Sequence, residues 1–130
     1  MRRTVACVAL ACCALAGCGG SPGDLMGIEV SGGPLRAPER LRVTEDGLAS
    51  CNQGKLHQLA SSAVLQARNV EREATPLIKR GASFSPAAAG RRTFQLKTPD
   101  GSVTWAEGGA GLPAILLQAE ELALELEQYC

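Results

Sequence analysis

Aromatic residues are nearly absent from this chain. Phe84, Phe94, Trp105 and Tyr129 are all it has, 3% of 130 residues. So few rings leave no material for an aromatic cage or a platform on which nucleic-acid bases stack. Histidine is scarcer still, with His57 alone, which leaves little for a metal cluster. Neither sign of charge is in excess: 13 basic residues face 13 acidic ones, which argues against a strongly basic nucleic-acid surface. The longest apolar run, Val5 to Ala16, falls short of the ~20 residues that a spanning helix needs. The length allows one domain rather than two.

Cysteine is plentiful, at six, and the N-terminus takes most of it. Arg2 and Arg3 precede the apolar run (VACVALACCALA), which holds Cys7, Cys12 and Cys13. A charged start followed by about a dozen apolar residues reads as a secretory signal, not an anchor. Thr4 interrupts the apolar pattern that follows a twin-arginine signal, so general export is expected. The run ends Leu15-Ala16-Gly17-Cys18, which resembles the lipobox of bacterial lipoproteins. That resemblance implies a signal peptide over residues 1–17, a diacylglycerol thioether on Cys18, and cleavage that makes Cys18 the first residue of the mature chain. Several acyl chains on one residue anchor stably, so the protein is expected on the extracytoplasmic side of the cell membrane. Cys18 to Gly27 (CGGSPGDLMG) is glycine-rich and is expected to be a flexible tether of ~15–20 Å. The remainder, residues 28–130, is expected to be a single domain.

Cleavage alters the charge balance. It removes Arg2 and Arg3 and no acid, leaving 11 basic against 13 acidic residues. All eleven basic residues lie between Arg36 and Lys97, while Thr98 to Cys130 carries six acidic residues and no basic one. The two segments either attract each other or are solvated. Alternatively, the basic segment faces anionic lipid or an acidic partner.

Periodicity predicts strands and helices in alternation. Ile28–Ser31 reads as a short strand ended by Gly32-Gly33-Pro34. Leu41–Thr44 alternates, Glu45-Asp46-Gly47 is a turn signal, and Leu48–Cys51 is the returning strand. Leu56, Leu59, Ala63, Ala67, Val70 and Ala74 form one apolar stripe and predict a helix over 56–74. Thr75-Pro76 should end or kink it, with Gly81 closing a short second turn. The best hairpin spans Arg92 to Glu107. Pairing Leu96 with Val103 and Phe94 with Trp105 puts every large apolar side chain on one face. A Pro-Asp-Gly turn with a glycine bulge would shift that register by one, so the turn type stays open. A last helix is predicted from Leu112 to about Gln128, with Leu117 and Leu124 off its core stripe, where they broaden the apolar face or, alternatively, make a small exposed patch. The expected fold is α+β: a small antiparallel sheet of about four to five strands packed by two helices.

Once the signal peptide is removed and Cys18 lipidated, Cys51 and Cys130 remain. An even pair outside the cytoplasm predicts a disulfide. Cys51, His57 and Cys130 could supply three zinc ligands, but no close Cys-x-x-Cys or His-x-x-x-His spacing supports a metal site. A Cys51–His57 nucleophile pair would need a free thiol and an orienting third group. Glu120 and Glu121 are adjacent on a helix, so they do not face each other as a catalytic pair. Neither an enzyme, a cofactor nor nucleic-acid binding is expected.

The order of elements, with Ile28-Glu29-Val30-Ser31-Gly32-Gly33 at its start, resembles the emfourin-type inhibitors of thermolysin-like metalloproteases. The resemblance covers most of residues 28–126 as organisation, and Ser31-Gly32-Gly33 as residues. It implies a sheet packed by helices and an inhibitory role, with no inhibitory residue carried over. The expected function is a non-enzymatic binding or inhibitory module acting on an envelope protein, with a protease among the candidates. The alternative is a structural envelope lipoprotein that contacts anionic lipid through its basic segment.

Overall fold

The N-terminal strand is the middle of the sheet. In the computed structural model, which describes residues 23–84 and 89–130, β1 (Asp24–Gly32) pairs with β2 (Glu39–Thr44) on one side and β5 (Arg92–Thr98) on the other. Beyond β2 lie β3 (Leu48–Cys51) and β4 (His57–Gln58); beyond β5 lies β6 (Gly101–Ala106). Every neighbouring pair is antiparallel. The described residues form an α+β fold, with six strands and two helices.

Alternation decides what each face does. Met26, Ile28 and Val30 of β1 are buried, as are Leu41 and Val43 of β2, Phe94 and Leu96 of β5, and Val103 and Trp105 of β6. They point to one side, where α1 (Ser61–Lys79) and α2 (Ala114–Leu126) cover them. Phe94 and Trp105 stack at 5.6 Å between ring centroids. The hairpin holds the register that its apolar pattern predicts, with Leu96 opposite Val103 and Phe94 opposite Trp105. The turn is a two-residue loop, Pro99-Asp100, between paired Thr98 and Gly101. Gly101 takes φ +134, which replaces the glycine bulge that would have slipped the strands.

Three boundary differences from the sequence reading matter most for the fold. First, β1 begins at Asp24 rather than Ile28, so residues 24–27 of the expected tether are strand. Gly27 lacks a side chain but has two strand partners, Arg42 and Lys97, which supply the backbone hydrogen bonding that holds it. Second, residues 56–60 are not helical. His57 and Gln58 form β4 against β3, and Leu59 enters the core from ahead of the helix. Third, α1 runs through Pro76 to Lys79. The Thr75 hydroxyl donates to the Glu71 carbonyl at 2.8 Å. Pro76 lies on the exposed side, where water can take the carbonyl that proline leaves unpaired. Burial of Leu77 and Ile78 favours continuation. Gly81, at φ +65, then ends the helix: its N–H bonds to Ile78 O and the Ala82 N–H to Leu77 O, the paired bonds of a Schellman cap.

The second helix is shorter than expected. It stops at Leu126 and tightens into a 3₁₀ turn over Glu127–Tyr129. Leu116, Ala119, Leu122, Ala123 and Leu126 form its buried stripe. Leu117 and Leu124 are exposed, so they do not broaden the buried face of the helix.

Candidate functional site

Among the described residues, no helix lies on the other face of the sheet. A groove of about 490 Å³ opens there, lined by Leu25, Gly27, Arg40, Arg42, Ser50 and Lys97 among others. Its floor follows from strand register. Lys97 of β5 is opposite Gly27 of β1, Gly27 is opposite Arg42 of β2, and Arg42 is opposite Ser50 of β3. One row across four strands therefore reads Lys97, Gly27, Arg42, Ser50. Adjacent strands are about 4.8 Å apart, so the two cationic residues start about 10 Å apart. Within that row, the residue between them is Gly27, which offers only a hydrogen.

Two loops extend the groove. Gln53 and Gly54 contribute from the turn after β3, and Thr98 and Pro99 from the end of β5 and the turn that follows it. Asn52 clamps the first of these to β2. Its N–H donates to Arg40 O at 2.8 Å, and its Oδ1 accepts from Arg40 N–H at 2.9 Å. Asn52 and Gln53 take φ 51 and 61, a left-handed conformation uncommon outside glycine. At the rim, a bulge in β1 between Asp24 and Met26 carries Leu25, and bulges re-aim side chains next to binding sites.

The cations of the groove are partly matched. Arg40 Nε is 3.2 Å from Glu29 Oε2, and Arg42 Nε pairs with Asp24 Oδ1. Both pairs use the Nε donor. A guanidinium has four further N–H donors. Lys97 makes no ion pair among the described residues. Exposed pairs of this kind contribute ~1 kcal/mol or less to stability, so the fold does not depend on them.

The cysteine pair forms as the sequence predicts. Cys51 and Cys130 are joined in a disulfide, with Cα atoms 5.0 Å apart and a sequence separation of 79. Cys51 is buried at the end of β3, and the bridge brings the C-terminus there. It lies one residue ahead of the Asn52–Gly54 turn, so it also pins the root of one groove wall. With both sulfurs bonded, neither cysteine is a thiolate for zinc or for nucleophilic attack. His57 stacks on Tyr129, ring centroids 4.8 Å apart, beside the bridge in sequence and away from the groove lining. Cys18, and the signal peptide over residues 1–17, lie outside the described residues.

The remaining candidates lie away from the groove lining. Glu120 Oε1 accepts from Trp105 Nε1–H at 2.9 Å. Burial raises its pKa above the ordinary value, the Trp105 hydrogen bond offsets part of this, and the Glu107 charge adds to the rise. Glu121 is exposed. Ser31-Gly32-Gly33 ends β1 in a turn, with φ +75 and +58 at the two glycines. A Cβ on Gly32 would stand 2.9 Å from the Arg91 carbonyl, and one on Gly33 2.9 Å from Arg92 Cγ, so this turn requires glycine. The basic and acidic segments meet at Arg92–Glu127, 3.2 Å, and Lys79–Asp100, 4.0 Å.

The sequence reading missed the groove because it placed Gly27 in a tether. The available signal was an alternating pattern continuing backwards through Leu25-Met26-Gly27-Ile28, with glycine at the open-face position. A glycine inside a strand marks close approach of a ligand or of another backbone. Compared with known proteins, the chain matches no family model, no curated protein and no solved structure.

Proposed function

We propose that the protein is a lipid-anchored, non-enzymatic binding module on the extracytoplasmic side of the cell membrane, with the open sheet face as its binding face. The observation that carries this reading is the groove itself. Its charged and polar residues sit on a sheet whose other face is filled by two helices, so binding residues can change without disturbing the core. The first partner class is an envelope protein. A metalloprotease is a candidate through the emfourin resemblance.

Three measurements test this reading. A photo-cross-linking residue at Gln95, on the open face, should join one envelope protein in cells, whereas the same residue at Glu121, on α2, should not. Equal labelling from both positions, or steady turnover of a substrate by the purified chain, rejects the reading. For the anchor, Cys18→Ser should abolish acyl labelling of the chain; retained labelling rejects lipidation at that residue.

One observation favours the second reading, contact with anionic lipid. The eleven basic residues do not form one face. Arg68 and Arg72 lie on α1 and Arg91 lies ahead of β5, while Arg40, Arg42 and Lys97 converge on one groove. A contact with anions would concentrate on these three.

A further inference from the structure

We infer that the groove centred on Gly27 is a binding site for the phosphate head group of an anionic phospholipid. The inference deepens the lipid-contact reading above and rests on it. The row Lys97, Gly27, Arg42, Ser50 sets two cations on either side of a gap that only glycine leaves open. A phosphate in that gap has an ammonium on one side and a guanidinium on the other. Arg42 and Arg40 spend Nε on Asp24 and Glu29 and retain their Nη donors. Those donors suit the paired oxygens of a phosphate. Lys97, without an ion pair among the described residues, supplies a point charge. Ser50, buried in the groove wall at 3% exposure, adds a hydroxyl. A volume of about 490 Å³ falls within the range of small-ligand sites, about 300–1,000 Å³.

Two features select a lipid over other anions. Leu25 and Pro99 put apolar surface at the rim beside the cations, which matches the junction of head group and acyl chains. The second is reach. Asp24 and Leu25 line the groove and follow Cys18 by six and seven residues. Six residues span at most about 20 Å, so an acylated Cys18 keeps the groove within reach of the head groups.

The test is native mass spectrometry of the full chain extracted from membranes in detergent, titrated with phosphatidylglycerol or phosphatidylcholine. Phosphatidylglycerol should bind at least about tenfold more tightly than phosphatidylcholine, and the double variant R42Q/K97Q should lose at least about tenfold of that affinity. Gly27→Val should abolish the preference with its melting temperature retained, because Gly27 has no positive φ and its Cβ would meet only Leu41 O at 3.4 Å. If Gly27→Val does not fold, R42Q/K97Q, which alters two side chains outside the core, decides. Equal binding of the two lipids overturns the assignment, as does parental binding in both variants. Displacement by equimolar glycerol phosphate overturns the lipid assignment in favour of a small soluble phosphate. The intact mass in the same spectra reports acylation of Cys18. An unacylated chain that retains the phosphatidylglycerol preference sinks the anchor reading and supports the site; an acylated chain without the preference sinks the site alone.

Discussion

The two faces of the sheet are made of alternate residues of the same strands, yet they do different work. On the inner face, Met26, Ile28, Val30, Leu41, Val43, Phe94, Leu96, Val103 and Trp105 are at most 2% exposed. On the open face, Gly27, Glu29, Arg40, Arg42, Gln95 and Lys97 keep solvent contact. Inner-face residues contribute stability through contact with the helices. Open-face residues contribute little to stability and hold the charges. The contrast teaches that, in this fold, stability and binding can be altered separately, one residue apart.

The strongest way to break that comparison is to truncate the inner face. Phe94→Ala should cost about 3–5 kcal/mol by transfer and cavity terms, while Gln95→Ala, its neighbour on the open face, should stay within about 0.5 kcal/mol. Urea unfolding of the two variants checks this; similar losses would mean that the open face is covered by something. The bridge comes next. Cys51→Ala/Cys130→Ala should cost about 2–4 kcal/mol, and the parent should fall to the same melting temperature on reduction. The double variant should also weaken binding in the groove, because Cys51 adjoins the Asn52–Gly54 turn.

Two glycines sharpen the comparison further, with opposite signs. Gly47 holds φ +81, and its Cβ would stand 2.9 Å from Val64 Cγ2, so Gly47→Ala should destabilise by about 1–3 kcal/mol. Gly27 is in ordinary strand conformation, so Gly27→Ala should stabilise by up to about 1 kcal/mol while narrowing the groove. Thermal melts of the pair decide it.

The smallest effect expected is a pH dependence at Glu120. Its folded-state pKa lies above the ordinary value, so the folded state binds more protons than the unfolded state just above that value. Stability attributable to this group is then full at low pH and falls as pH rises through the raised pKa. Glu120→Gln keeps an acceptor for Trp105 and removes the charge. Its melting temperature should lack that fall and should match or slightly exceed the parent at neutral pH; a variant that melts lower at neutral pH would contradict the sign.

Much of the architecture was legible in the residues. The hairpin register followed from Phe94, Leu96, Val103 and Trp105, because one face had to be apolar throughout. Gly81 announced its cap, whereas the offset of Leu117 and Leu124 from the core stripe left open whether they widened the apolar face or were exposed. Cys51 and Cys130 were the pair left after export and lipidation were assigned. The illegible parts share a cause. Proline at position 76 reads as a stop, yet burial of Leu77 and Ile78 outweighs one missing hydrogen bond on the solvent side. Leu56 and Leu59 fit a helical stripe, yet pairing with β3 takes His57 and Gln58 into the sheet. Gly27 reads as tether, yet two neighbouring strands hold it.

Local periodicity, then, determined by itself which side of each strand is buried and where the body of each helix lies, and the cysteine count determined that one bridge was available. Periodicity could not determine which strands are neighbours. That was decided when β1 settled between β2 and β5, strands far apart in the chain, because only there do its three buried residues share a core with Leu41 and Val43 on one side and Phe94 and Leu96 on the other. The same step set Lys97 and Arg42 on either side of Gly27 and so made the groove. Side-chain alternation specifies a face; burial of the shared core specifies the neighbour.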